Sequence, residues 1–173
     1  MSQNASGYVN QRVLKINVGF LLNDGPGHSH NSRLDLPQTR VSDDVQVDYL
    51  NGALRLSRTK EGILVQAHLN AAVQAECYRC LTPTAHPITL DIEELYATQP
   101  ESDSEFRIHE DGILDLSPLL RAEIVIVGME RVLCHEECQG LCPTCGANLN
   151  TDSCRCDLDN VDPRLAALRQ LLD

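Results

Sequence analysis

Eight cysteines, and where they fall, restrict this 173-residue chain more than any other feature. Cys77 and Cys80 form one Cys-x2-Cys step. Cys134, Cys138, Cys142, Cys145, Cys154 and Cys156 crowd together further on. The first apolar run, Val13 to Leu22, is broken by Lys15 and Asn17, and no small-residue cleavage site follows, so it does not read as a secretory signal. A cytoplasmic location is the resulting expectation, and there thiols stay reduced, which argues against a disulfide framework. A redox Cys-x2-Cys belongs at a helix N-terminus after a strand, where the dipole lowers the thiol pKa. Cys77 and Cys80 lie instead between two predicted strands.

Metal ligation accounts for what is left. A Cys-x2-Cys turn lets both thiolates face one ion while local backbone N–H groups support the sulfurs. Cys142-Pro143-Thr144-Cys145-Gly146 has the form of a zinc knuckle, stiffened by Pro143 and turned by Gly146. All eight cysteines are expected to ligate structural Zn2+, in one or two sites. In one partition Cys142, Cys145, Cys154 and Cys156 make a local site, and Cys77 and Cys80 join Cys134 and Cys138. In the other the two knuckles, Cys77/Cys80 and Cys142/Cys145, share one ion as in a zinc ribbon. The first is preferred because its local site needs no distant partner, but spacing does not decide the matter. Catalytic zinc fits poorly. His135-Glu136-Glu137 before Cys142 is too close to it for a deaminase-like pair of helices, and four-thiolate sites leave no open coordination position.

Hydrophobic periodicity places the cysteines on a β framework. Val13 to Leu22 reads as a strand and Asn23 to Asn31 as a Gly/Pro/Asn loop, with His28 and His30 as solvated loop residues rather than a metal pair. Val45, Val47 and Tyr49 alternate, and Asn51-Gly52 then reads as a hairpin turn with Leu54 and Leu56 returning. Lys60-Glu61-Gly62 is a further turn, and Ile63 to Ala75 keeps period two. Ile88 to Tyr96 is the next strand, after the first cysteine pair. Ser117-Pro118 opens a helix, with Ser117 as N-cap. Asp162-Pro163 opens a short last helix through Leu165, Leu168, Leu171 and Leu172. The expected fold class is α+β: an antiparallel β meander or barrel-like sheet with one packed helix, a C-terminal cysteine-rich zinc-binding segment and a short terminal helix. The expected organisation is a disordered tail over residues 1–10, a β domain with its helix over 11–130, and a zinc-binding segment over 131–173 docked on the same domain.

Charge narrows the function. With 14 basic and 25 acidic residues the net charge is −11, the wrong field for a protein that holds nucleic acid through its phosphates. Aromatics are 3% of the chain and Trp is absent, which argues against base-stacking platforms. No stretch is long and apolar enough to span a membrane, and a basic protein partner suits the field better than an anionic surface. There is no phosphate loop, carboxylate pair or nucleophile motif, so a non-enzymatic role is expected. The alternative is a thiol- or metal-dependent enzyme acting on RNA or protein.

Several motifs together resemble a known family. They are Cys77-Tyr-Arg-Cys80-Leu81 after a long strand, Asp115-Leu-Ser-Pro-Leu-Leu-Arg121 opening a helix, Cys138-Gln-Gly-Leu-Cys-Pro-Thr-Cys-Gly146 with Asn148-Leu149-Asn150, and Asp162-Pro163-Arg164. The combination is similar to the YceD-like family of bacterial and plastid proteins implicated in accumulation of large-subunit (23S) ribosomal RNA. The resemblance implies a role in ribosome biogenesis, with a ribosomal protein or precursor large subunit as partner. It brings no defined catalytic residue. Direct RNA binding stays open, disfavoured by charge, and the oligomeric state is not legible.

Overall fold

The structure is a computed structural model that describes residues 9–99, 102–108, 110–128 and 131–156. The predicted terminal helix after Pro163 and most of the tail over 1–10 lie outside the described residues. The chain divides into two compact units, the first from residues up to Ala75 and from Ala85–Glu130, the second from Glu76–Thr84 and from Arg131 onward.

The first unit is mostly sheet. A 3-10 turn over Gln11–Leu14 leads into β1 (Lys15–Asn17) and a short helix, α1 (Gly19–Asn23). Then come β2 (Ser29–Leu36), β3 (Thr39–Arg40), β4 (Gln46–Arg58), β5 (Gly62–Glu76), β6 (Pro83–Ala97), β7 (Phe106–Arg107), β8 (Ile113–Asp115) and α2 (Ser117–Gly128). The main sheet runs β2-β4-β5-β6-β7, with β3 also on β4. β1 and β8 form a separate two-stranded sheet. The main sheet is open, with β2 and β7 at its edges. β2, β3 and β5 pair antiparallel with β4, and β6–β7 is a short parallel contact. There Tyr96 stacks on Phe106 with ring centroids 5.3 Å apart.

Alternation explains the core. On β4 and β5, Leu54, Leu56, Val65, Leu69, Ala71 and Val73 are buried, while Arg55, His68 and Gln74 point to solvent. Ile88, Leu90 and Ile92 continue the face on β6, and α2 adds Leu119, Leu120 and Ile124 at helical spacing to the same cluster. Among the described residues the buried core of this unit is aliphatic except for Tyr96, whose hydroxyl donates to the Asp115 carbonyl at 2.8 Å.

Three local expectations are corrected. Val13 to Leu22 is not one strand: it breaks into the 3-10 turn, β1 and α1. The loop from Asn23 ends early, because β2 begins at Ser29. His30 pairs with Leu56, and its ring meets Phe20 edge-on at 5.3 Å. Asn51-Gly52 is not a turn. Both lie inside the 13-residue β4, which pairs with β2 on one side and β5 on the other. The Lys60-Glu61-Gly62 turn is observed. The Thr59 hydroxyl there accepts from the Gly62 N–H at 3.1 Å.

The start of α2 is also shifted by one residue. Leu116 supplies the first helical carbonyl, accepting from the Leu120 N–H at 2.9 Å, and Asp115 Oδ1 accepts from the Ser117 N–H at 2.9 Å. Ser117 is therefore not the cap, and its Oγ is buried with no hydrogen-bond partner among the described residues. Burial opposes ionisation of Asp115. The Ser117 backbone N–H and the Lys15 ammonium 3.3 Å away outweigh it and hold the carboxyl below its ordinary pKa. Asp115→Ala is expected to lower stability by about 1 kcal/mol at neutral pH in denaturant titrations. A lowered carboxylate pKa stabilises above the ordinary value of about 4 and is lost as pH falls through the folded one. The variant and wild type should therefore converge in acid.

Candidate metal centre

All eight cysteines belong to the second unit, and they gather into two sets. Cys77, Cys80, Cys134 and Cys138 form one, and Cys142, Cys145, Cys154 and Cys156 the other; within each set the four sulfurs lie within 4.8 Å of one another. This grouping is the partition with a local site, not the shared ribbon. Among the described residues no other cluster of His, Cys, Asp or Glu has metal-binding geometry.

The first set is assembled from two stretches of chain. After β5, the chain turns through Cys77-Tyr-Arg-Cys80, closed by the Leu81 N–H donating to the Cys77 carbonyl at 2.8 Å and the Cys77 N–H to that of Thr82 at 3.0 Å. The later stretch is stitched to this turn. The Tyr78 N–H donates to the Val132 carbonyl at 2.9 Å, and the Leu141 N–H to that of Arg79 at 3.0 Å. The Arg79 guanidinium donates to the Cys138 carbonyl at 2.8 Å. Cys77, Cys80 and Cys138 form a buried cluster with Leu133, Cys134 and Leu141 packed on it.

The second set is local and more open. The Gly146 N–H donates to the Cys142 carbonyl at 2.8 Å, and the Cys142 N–H to the Ala147 carbonyl at 2.8 Å. Cys142 is buried, Cys145 is exposed, and Cys154 and Cys156 are half-buried.

The sulfur–sulfur distances fit metal ligation and not a disulfide. Cys77 Sγ lies 3.7 Å from Cys138 Sγ, and Cys80 Sγ 3.6 Å from Cys134 Sγ. A disulfide needs about 2.05 Å. Four thiolates about 2.3 Å from a tetrahedral ion stand about 3.8 Å from one another, which is close to what is found. Polar groups also support the sulfurs. The Thr82 hydroxyl is 3.1 Å from Cys80 Sγ, His135 Nδ1 is 3.1 Å from Cys134 Sγ, and the Asn150 side-chain amide donates to Cys138 Sγ at 3.4 Å.

Electrostatics give the same fit. Burial opposes ionisation of Cys77, but the backbone N–H groups of Cys134, Cys80 and Arg79 outweigh it and bring the thiol to about 6. Backbone N–H groups of Cys145 and Thr144 bring Cys142 to about 6. Cys80 is lowered as well, chiefly by the Thr82 hydroxyl and backbone N–H, while other members of each set are raised. Cys134 is pushed up to about 12 by burial and by its neighbouring sulfurs, and Cys156 to about 12 by Cys145, burial and Cys142. Each set thus favours ionisation of one or two thiols and opposes it at another, and a bound cation would relieve that opposition. The donor sets could hold metal ions.

The knuckles differ in one respect. Gly146 follows the second and Leu81 the first, and both take left-handed backbone, with φ 74° and 58°. Leucine is strained there, and its side chain is 56% exposed. Tyr78, two residues before Cys80, is 46% exposed, with the Arg79 and Arg131 guanidinium carbons 5.7 and 5.9 Å from its ring centre. Composition alone gave no sign of this exposed aromatic, since a single tyrosine on a turn leaves no periodic signal. Leu81→Gly is expected to raise stability by about 1 kcal/mol, read from the denaturant midpoint with unchanged slope.

A family model described as large ribosomal RNA subunit accumulation protein YceD matches residues 65–172, which include all eight cysteines. An uncharacterized protein of Mycobacterium tuberculosis is 32% identical over 130 residues, 69% of this chain and 60% of that protein. Bacillus subtilis YlbN is 31% identical over 100 residues, 56% of this chain and 58% of YlbN. A maize protein named large ribosomal RNA subunit accumulation protein YCED homolog 1, chloroplastic, is 28% identical over 159 residues, 72% of this chain and 51% of that protein. The match therefore spans from 51% to 60% of the length of these relatives. No solved structure matches the chain.

Proposed function

Because the chain belongs to the family of the large ribosomal RNA subunit accumulation protein YceD, we propose that it is a non-enzymatic ribosome biogenesis factor. It supports synthesis, processing or stability of the large-subunit ribosomal RNA in the cytoplasm. The observation that carries this reading is the pair of four-sulfur sets. Each would hold one structural zinc, with every tetrahedral position taken by protein and none left for a substrate or an attacking water. The role of such sites is to hold a small unit rigid.

Charge supports a basic partner. The chain carries −11, and each tetrathiolate zinc adds about −2. A field of that sign speeds encounter with basic ribosomal proteins and disfavours bare RNA. The first knuckle supports a contact made through protein. Tyr78 and Leu81 project from it, and Leu81 takes strained left-handed backbone while more than half of it stays exposed. Exposed Tyr and Leu beside arginines have the composition of an interface anchor. Among the described residues no helix is long and apolar enough to cross a membrane.

The test is co-sedimentation of the zinc-loaded chain with purified precursor large subunits at moderate salt, before and after ribonuclease treatment. Binding that survives partial RNA digestion and weakens with added salt is expected. Recovery of neither large-subunit protein nor precursor RNA would sink the proposal.

A further inference from the structure

The loop that joins the two halves of the second cysteine set runs from Gly146 to Ser153, and it does not serve that set alone. It folds back on the segment between the sets. Leu141 and Asn148 form an isolated antiparallel bridge, and the Leu149 N–H donates to the Gly140 carbonyl at 2.9 Å. At its far side stands Asn150, whose side chain uses both ends. Its Oδ1 accepts from the Gln139 N–H at 2.8 Å. Its Nδ2 donates to Asn148 Oδ1 at 2.7 Å and to Cys138 Sγ at 3.4 Å. Cys138 belongs to the first set, whereas Asn150 lies between Cys145 and Cys154 of the second. A sulfur of one set is thus hydrogen-bonded by a side chain from the loop that joins the halves of the other.

We propose that the two sets load metal cooperatively and that Asn150 is the positioning residue that couples them. The inference rests on the metal reading of the cysteines. Closing the second set ties the ends of the Gly146–Ser153 loop together and holds Asn150 where its amide meets Cys138 Sγ. An N–H donated to a thiolate stabilises its charge and fixes its orientation, and groups of this kind are worth about ten- to a hundredfold in metal affinity. With the second set empty, that amide must be ordered at the moment the first set binds, so affinity falls. Linkage makes the effect reciprocal. Filling the first set fixes Cys138, Gln139 and Gly140, the anchor for Asn150 and Leu149, and so favours closure of the second. Gly140 is suited to this junction. Its φ is +79°, and a Cβ there would stand 3.1 Å from the Arg79 carbonyl oxygen of the first knuckle.

The test uses the full chain and zinc titrated against a chromophoric chelator, with cobalt absorption as a second readout. The proteins are wild type, Asn150→Ala, Asn150→Asp, and Cys154→Ser with Cys156→Ser. Asn150→Asp keeps an oxygen for the Gln139 N–H but has no N–H for the sulfur or for Asn148 Oδ1, so it separates the Gln139 anchor from the two bonds the amide donates. Wild type is expected to take up two ions per chain with positive cooperativity. Removing the second set is expected to weaken the first about tenfold or more. Both Asn150 variants should weaken it comparably and abolish the cooperativity, and Asn150→Ala should add little in the double-serine background. The proposal is overturned if Asn150→Ala or Asn150→Asp binds both ions as wild type does, or if the double-serine variant holds its remaining ion undiminished. Two ions in wild type with no effect at Asn150 would reject the coupling and leave the metal reading intact. No metal in wild type would reject both.

Discussion

Replacing Cys77 with serine is expected to release metal from the first cysteine set and to unfold the second unit while the main sheet survives. Cys77 is fully buried, its pKa is held near 6 by surrounding N–H groups, and its sulfur faces three others. A serine hydroxyl does not ionise at neutral pH and does not replace a soft ligand. What remains could not hold the unit together. Its described buried cluster consists of Cys77, Cys80 and Cys138, with only Leu133, Cys134 and Leu141 packed on it. A core that small needs a metal or another cross-link. Native mass spectrometry should show at least one ion lost per chain. Hydrogen exchange should rise over residues 131–156 and stay slow in β4 and β5. Retention of both ions by Cys77→Ser would exclude the first set as a metal site.

Gly52→Ala is expected to destabilise the first unit by about 3 kcal/mol, with a lowered denaturant midpoint. Gly52 has φ +152°, and a Cβ built there would lie 2.1 Å from the His68 carbonyl oxygen and 2.9 Å from Leu69 Cα. Both are backbone atoms of β5, the partner strand, so relief requires the β4–β5 pair to move apart. Gly62 is built the same way against β6, with 2.0 Å to the Tyr96 carbonyl oxygen. Gly25 has nothing within 4 Å of its would-be Cβ, and alanine there is the control, expected within about 0.5 kcal/mol of wild type. If Gly52→Ala also falls in that range, the close strand approach is wrong.

The Asn51-Gly52 misreading shows why part of the fold was not legible. That dipeptide is a strong hairpin signal because both residues tolerate positive φ. Here the same freedom serves a different need, the close approach of β5 to the middle of β4. Local sequence carries no information about how near a partner strand comes. Ser117 was misassigned for a related reason. Ser and Asp both accept from free N–H groups at a helix start, and here β8 delivers the chain so that Asp115 meets the Ser117 N–H and Leu116 supplies the first helical carbonyl. The Val13 to Leu22 run has enough apolar residues for a strand, but Leu14, Val18 and Leu21 are buried at a spacing that suits turns and a short helix. By contrast β5 and β6 keep period two for long enough that their existence was legible from the pattern alone.

The residue types and spacings by themselves pointed to metal ligation as the use of the cysteines. Cys-x2-Cys steps beside Pro and Gly suit metal ligation, and no coordinates are needed to see that. The aliphatic core, the acidic field and the helix after Asp115 are of the same kind, because they follow from composition and short-range periodicity. The tertiary structure alone decided which four sulfurs share a site. Cys77 lies 61 residues from Cys138, and nothing local says that they end 3.7 Å apart. It also decided which side chains surround the sulfurs. Asn150 reads in sequence as a turn residue, and only the folded loop places its amide on a sulfur of the other set. Spacing along the chain limits which ligands can meet, but long-range packing selects among the permitted pairings.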